Sequence, residues 1–329
     1  MKLHFLKKIQ EYYTQINKIP PKYWVSVGAI VDKFPKVFSK TFSVRRFFSA
    51  NRIKTLELSD LFVFRPAPKV ELLFLATKKD FDILKFSVKS ALIATSQYER
   101  VHATIVVPDR HLQESRMILA NLIHQVKIVP ESLLIEEQML EMVKEVFKSR
   151  AGWVKQQLLK LSFVCASRCD DVLIVDADTV LLRSRPWLDD KGCQLLTPTW
   201  EYHLPYYEFL NSIGICEIEP EYSFVSHHML MQPKILKEIF NYAGWSNIQD
   251  LINLVCAQPN SGDNSPFSLD YELYAQYLYT KHPDKVVLSK WSNKALSRNL
   301  SSANFDLTLT SEVIENSNKF ASLSFHSYL

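Results

Sequence analysis

Glycine is scarce in this chain, with six in 329 residues, and none of them builds a Gly-x-Gly-x-x-Gly or P-loop pattern. The glycine-rich loops that cradle phosphate with backbone amides are therefore excluded, and any phosphate must be held by side chains. Cysteine is equally uninformative as a framework: there are five, an odd number, with no Cys-x-x-Cys pair. Cys165 and Cys169 lie one helical turn apart and read as reduced packing residues, which points to a reducing cytosol. Long apolar runs are also missing. The start, Met1 to Lys8, loses its apolar character after one turn, and Val25 to Val31 falls far short of the roughly 20 residues of a spanning helix. Neither a secretory leader nor a membrane anchor is expected, so the sequence predicts a cytoplasmic protein.

Charge is distributed unevenly. Residues 1 to 50 carry ten Lys or Arg against Glu11 and Asp32, a net of +8 in a chain whose total is +4. Phe5, Tyr12, Tyr13, Tyr23, Trp24 and several phenylalanines are interleaved with these cations. Two readings stay open for this basic, aromatic-rich extension, residues 1–66. It contacts an anionic membrane surface through residues 1–60, each cation contributing about 1 kcal/mol, or it packs its aromatics on the main domain. No nucleic-acid recognition motif accompanies the charge, so no nucleic acid partner is expected.

Beyond Arg65-Pro-Ala-Pro68 the pattern becomes regular. Val70 to Ala76 reads as a strand, followed by a helix that Asp80 can cap and that carries Phe81, Leu84, Val88 and Leu92. Ala103 to Val107 and Val126 to Val129 read as further strands, with a helix between them. Alternation of this kind predicts an α/β fold: a mostly parallel sheet flanked by helices, with right-handed crossovers bringing the strand ends to one edge. Gln258 to Pro266 is the clearest loop.

One strand ends in chemistry. In Asp171-Val-Leu-Ile-Val-Asp176-Ala-Asp178-Thr179, a continuous apolar run suited to a sheet covered on both faces delivers two carboxylates at its end. Ligands of open α/β sheets bind at the carboxyl ends of strands. Hard oxygen ligands suit Mg2+ or Mn2+, and such ions keep positions open for substrate phosphates. The spacing is thus compatible with a metal-bridged diphosphate.

Three ordered blocks carry a resemblance. They are Trp153-Val-Lys155-Gln156-Gln157-Leu-Leu-Lys160 before the strand, Val225-Ser-His227-His228-Met229 after it, and Phe267-Ser-Leu-Asp270-Tyr271-Glu272. Over residues 68 to 329 the chain resembles the GT-A (Rossmann-like) glycosyltransferases, in particular an uncharacterised bacterial glycosyltransferase-like family with a Trp-x-x-Gln-Gln-x-x-Lys helix before an Asp-x-Asp strand. The resemblance implies a GT-A domain over residues 67–329. It also implies a divalent metal held by Asp176, Asp178 and a returning C-terminal histidine, His326. Donor contacts would come from Thr77, Gln156, Lys160 and Asp176. Asp270 and Glu272 are the candidates for acid-base or acceptor-orienting work, Asp270 narrowly preferred. His227 and His228 alternate along a strand, so only one can face the cleft.

The expected function is metal-dependent transfer of a sugar from a nucleotide-diphosphate sugar to a hydroxyl of a carbohydrate or lipid-linked glycan, in bacterial surface polysaccharide synthesis at the inner face of the cell membrane. Two alternatives remain. A haloacid dehalogenase-like phosphatase would use Asp176 as nucleophile, although that class has its threonine one place later than Thr179. A non-catalytic GT-A-fold module would bind glycan or membrane without turnover.

Overall fold

A computed structural model describes Ser49, Ala50, Ile53 and residues 69–258, 269–298 and 305–326. The N-terminal extension and its expected membrane contact lie outside the described residues, those three apart. Among the described residues no helix is long and apolar enough to cross a membrane.

The elements run β1 (Lys69–Leu75), α1 (Phe81–Ala94), β2 (Glu99–Val107), α2 (Leu112–Ile118), β3 (Val126–Pro130), α3 (Glu137–Phe147), α4 (Ala151–Ala166), β4 (Asp171–Val175) and β5 (Thr179–Leu181). They continue with β6 (Gln194–Leu196), α5 (Leu204–Ser212), β7 (His228–Met231), α6 (Pro233–Ala243), α7 (Ile248–Ala257) and α8 (Tyr271–Lys281). The last are β8 (Val286–Leu288), β9 (Asn293–Ser297), α9 (Phe305–Asn316) and β10 (Ser322–His326).

The main sheet has the order β3-β2-β1-β4-β7. β1 pairs in parallel with both β2 and β4, and β2 with β3. β7 alone runs antiparallel, against β4. The fold is therefore α/β with a mostly parallel sheet flanked by helices, as the alternation predicts. Alternate side chains of the strands enter different cores. Leu73, Leu75, Val172 and Ile174 join residues of α3, α4, α6, α7 and α8, whereas Leu72, Phe74, Leu173 and Val175 join α1 and Leu119. Burial on both faces is why β4 reads as an unbroken apolar run.

Two smaller sheets are present among the described residues. β10 lies between β5, to which it is antiparallel, and β9, to which it is parallel; β6 pairs with β8. The chain leaves β1 toward β2 and β3 on one side and returns to β4 on the other, so the topological switch falls between β1 and β4. Crevices form at the carboxyl end of such a pair.

Leu173 has no exposed surface, at the centre of β4 between Leu72 and Leu230. Leu173→Ala is expected to cost about 2 to 5 kcal/mol, read as a lowered urea midpoint at unchanged slope; a loss under about 1 kcal/mol would contradict the two-sided burial of this strand.

Candidate active site

A cavity of about 270 Å3 opens where the switch lies, lined among others by Leu75, Lys79 and Asp80 after β1 and by Asp176, Ala177 and Asp178 after β4. From α4 come Trp153, Gln156, Gln157 and Lys160, one stripe at helical spacing. His227, Asp270, Tyr271 and His326 complete much of the wall, with Glu201 and Tyr206.

Lys160 is the centre of the charge arrangement. Its Nζ lies 3.1 Å from Asp176 Oδ1 and 2.9 Å from Asp270 Oδ2, and sits 4.2 Å from the Tyr271 ring centroid. Burial alone would pull its pKa down, but the two carboxylates outweigh that and hold it well above the ordinary lysine range. Tyr271 donates its hydroxyl to the same Asp176 Oδ1 at 3.0 Å. Asp176 Oδ2 lies 3.5 Å from His227 Nδ1. Although burial opposes ionisation of Asp176, Lys160 and His227 keep its carboxyl well below the usual range. Asp176 is thus a permanent anion.

Asp178 lives differently. Arg298, just past β9, places Nη2 3.1 Å from Asp178 Oδ2 and Nη1 3.0 Å from Asp80 Oδ1. Its Nε donates to the Phe325 carbonyl at 2.9 Å. Even so, burial and the neighbouring Asp176 push the Asp178 carboxyl up to about 6. His326 Nδ1 lies 3.8 Å from Asp178 Oδ2, and burial with the nearby His227 pulls its pKa down to about 4, leaving a neutral imidazole at neutral pH.

Most of the residues singled out from the sequence meet here: Gln156, Lys160, Asp176, Asp178, Asp270 and His326 all line the cavity. Thr77 and Glu272 are not among those lining it. Thr77 turns its hydroxyl and its amide onto Asp80 Oδ2, at 3.0 and 2.9 Å, closing the short turn after β1. Asp80 correspondingly does not cap α1 with its side chain; its carboxylate serves Thr77 and Arg298 instead. Glu272 has no exposed surface. Its Oε1 accepts from the Ser223 hydroxyl, the Tyr207 hydroxyl and the Phe224 amide at 2.5, 3.0 and 2.8 Å, and its Oε2 from Gln276 at 2.9 Å. That saturated carboxylate braces α8 against the segment before β7.

His227 faces the cavity, and His228 turns inward to accept from Trp187 Nε1 at 3.0 Å, as alternation along a strand requires. Lys79, Glu201, Tyr271 and Arg298 were not marked from the sequence. The switch-point rule could have flagged Lys79, because it follows β1; Arg298 gives no local signal.

The geometry has a consequence for stability. An acid whose folded pKa is raised binds its proton more tightly folded than unfolded, so stability falls as pH rises from about 4 through 6, and the penalty is complete above that. Asp178→Asn is therefore expected to stabilise the protein by about 1 to 3 kcal/mol at pH 8 and hardly at all at pH 4, measured by chemical denaturation at both pH values. Equal effects at the two would overturn the assignment.

No family model matches the chain, and no curated protein matches it. Among solved structures it is similar to mouse xyloside xylosyltransferase 1 in apo form, at 12% identity and TM-score 0.38 over 79% of this chain and 98% of that one. It is similar to galactosyltransferase LgtC in complex with donor and acceptor sugar analogs, at 13% identity and TM-score 0.41 over 78% and 86%. The PaToxG glycosyltransferase matches at 11% identity and TM-score 0.37 over 90% and 86%.

Proposed function

We propose that this chain is a glycosyltransferase that moves a sugar from a nucleotide-diphosphate sugar to a hydroxyl of a carbohydrate or lipid-linked glycan. The observation that carries the reading is the pair Asp176 and Asp178 at the switch point, one carboxylate held ionised by Lys160 and the other raised by burial and by Asp176 despite Arg298. Such a pair suits a divalent cation, which in turn bridges to the oxygens of a diphosphate.

Among the described residues no three His, Cys, Asp or Glu side chains are grouped as a complete metal site. Mg2+ and Mn2+ do not require one, since they commonly take one or two protein ligands and complete their shell with water and phosphate oxygens. The donor set fits that mode: a carboxyl raised by burial and by the neighbouring Asp176, at Asp178, and a neutral imidazole nitrogen 3.8 Å from it, at His326. Asp178 and His326 would hold the ion, with Asp176 beside them. When bound, it neutralises charge on the departing diphosphate.

The protein's own groups do the rest. Lys79, after β1, places a cation at the cavity wall that forms no ion pair among the described residues, suited to a phosphate oxygen. Lys160 fixes the orientation of Asp176 and Asp270 and screens the repulsion between them. Gln156 offers donor and acceptor atoms to sugar hydroxyls. Gln157 accepts the Leu269 amide at 2.5 Å and so sets the approach of Asp270. Asp270, bound to Lys160, is the group for acid-base or acceptor-orienting work. The phosphatase alternative loses ground on one observation: Asp176 Oδ1 already accepts from both Lys160 and Tyr271, which blunts it as a nucleophile. In this reading the basic aromatic residues 1–60 bring the enzyme to an anionic membrane that presents the acceptor.

A thermal-shift screen of nucleoside diphosphates and nucleotide-sugars, with and without Mn2+, tests the proposal. Ligand at about a hundred times its dissociation constant adds roughly 2.7 kcal/mol of stability. The expected result is a Mn2+-dependent shift with one base, lost in Asp178→Ala; no shift with any nucleotide would sink the reading.

A further inference from the structure

Each aspartate of the pair already has a resident cation, and the two cations stand differently toward the cavity. Lys160, which serves Asp176, lines it, whereas Arg298, which serves Asp178, is not among the lining residues although Asp178 and Asp80 are. Arg298 therefore reaches Asp178 from behind the wall. Its side chain is only 12% exposed, so little water competes for the pair.

The guanidinium is anchored independently of Asp178. Its Nε donates to the Phe325 carbonyl at 2.9 Å, and its Nη1 to the Lys79 carbonyl at 2.6 Å and to Asp80 Oδ1 at 3.0 Å. The Arg298 amide donates to the His326 carbonyl at 3.1 Å, which continues the pairing of β9 with β10. Of these side-chain nitrogens Nη2 is the one that donates to Asp178, at Oδ2, 3.1 Å away. The same Oδ2 is the Asp178 oxygen that His326 Nδ1 approaches at 3.8 Å. An ion shared by Asp178 and His326 must therefore take or adjoin an oxygen that a fixed cation already holds. Like charges brought to one carboxylate repel most strongly where water is scarce.

We infer that Arg298 sets the metal affinity of this site: its guanidinium competes with a divalent cation for Asp178, so that the ion binds loosely on its own. Its other three side-chain bonds keep Arg298 in place when an ion arrives, and it gives up or shares a single hydrogen bond. Arginine suits this task better than lysine, because its planar fork spans Asp80 and Asp178 at once whereas an ammonium is a point charge. Arg298 is thus a positioning residue that acts through Asp178. The inference rests on the metal part of the proposed function, and it concerns the affinity of the nucleotide-free protein for the ion rather than turnover.

The test titrates the full chain with Mn2+ alone and follows the electron paramagnetic resonance signal of the free ion. Wild type, Arg298→Gln, Arg298→Lys and Lys79→Gln are compared, with thermal melts to report folding. Removing the resident cation in Arg298→Gln is expected to tighten Mn2+ binding about tenfold or more, with Arg298→Lys in between. Lys79→Gln removes a wall cation that forms no ion pair among the described residues, and should change the affinity less than about threefold. Mn2+ binding to folded Arg298→Gln no tighter than to wild type would overturn the inference, as would an equal gain in Lys79→Gln. If Arg298→Gln does not fold, Arg298→Lys decides, and unchanged binding there overturns it. No Mn2+ binding by any of the proteins sinks the inference together with the metal reading. A Mn2+-dependent nucleotide shift in wild type with no gain in Arg298→Gln falls on the inference alone, whereas a gain in Arg298→Gln without any nucleotide shift falls on the donor reading alone.

Discussion

A single ammonium group holds the centre of this molecule together. Lys160 lies buried between Asp176, which follows the strand β4, and Asp270, which precedes the helix α8. A charge removed from water is tolerated only when it is paired and hydrogen-bonded, so α4, β4 and α8 must approach one another in one arrangement. The usual price of this is lost local economy: Asp270 sits at the N-cap of α8 without capping it by its side chain. Tyr271, first in that helix, bends its hydroxyl to Asp176 instead. The ion pair contributes registry more than stability, since well-packed apolar side chains could replace such a network at little cost.

From that arrangement follows a division of roles between two aspartates two residues apart. Asp176 has Lys160, Tyr271 and His227 around it, and stays ionised throughout the physiological range. Asp178 has to share the Arg298 guanidinium with Asp80, and it bears the repulsion of Asp176. Environments that push two like groups apart in pKa give them different work. One is held ionised by its cationic neighbours, and the other keeps a raised pKa beside a guanidinium it shares.

How much of this was legible in the sequence depended on how local the cause was. The β4 run declared itself because both its faces are covered, and the Trp153, Gln156, Lys160 stripe because helical spacing aligns them. The opposite fates of His227 and His228 followed from strand alternation. Glu272 is buried away from the cavity that Asp270 lines, a difference that two carboxylates so close in sequence do not reveal. The backbone at Asp270 turns out of the helical region, φ −89° and ψ −87°, and sends the pair to different surroundings. The antiparallel course of β7 was invisible, since a buried apolar tetrapeptide reads the same in either direction. Arg298 owes its place to the pairing of β9 with β10, a contact made far along the chain that no window of residues contains.

The clasp around Asp178 has a further bearing on how the cavity holds its shape. The Asp178 carbonyl accepts from the Phe325 amide, and the Arg298 amide donates to the His326 carbonyl. Asp178 is therefore fastened to the small sheet of β5, β10 and β9, while Asp176 is fastened through Lys160 to the large core. The two halves of one acidic motif are thus anchored in different sheets, so the surroundings of Asp178 depend on β10 being in place, whereas those of Asp176 depend on the large core.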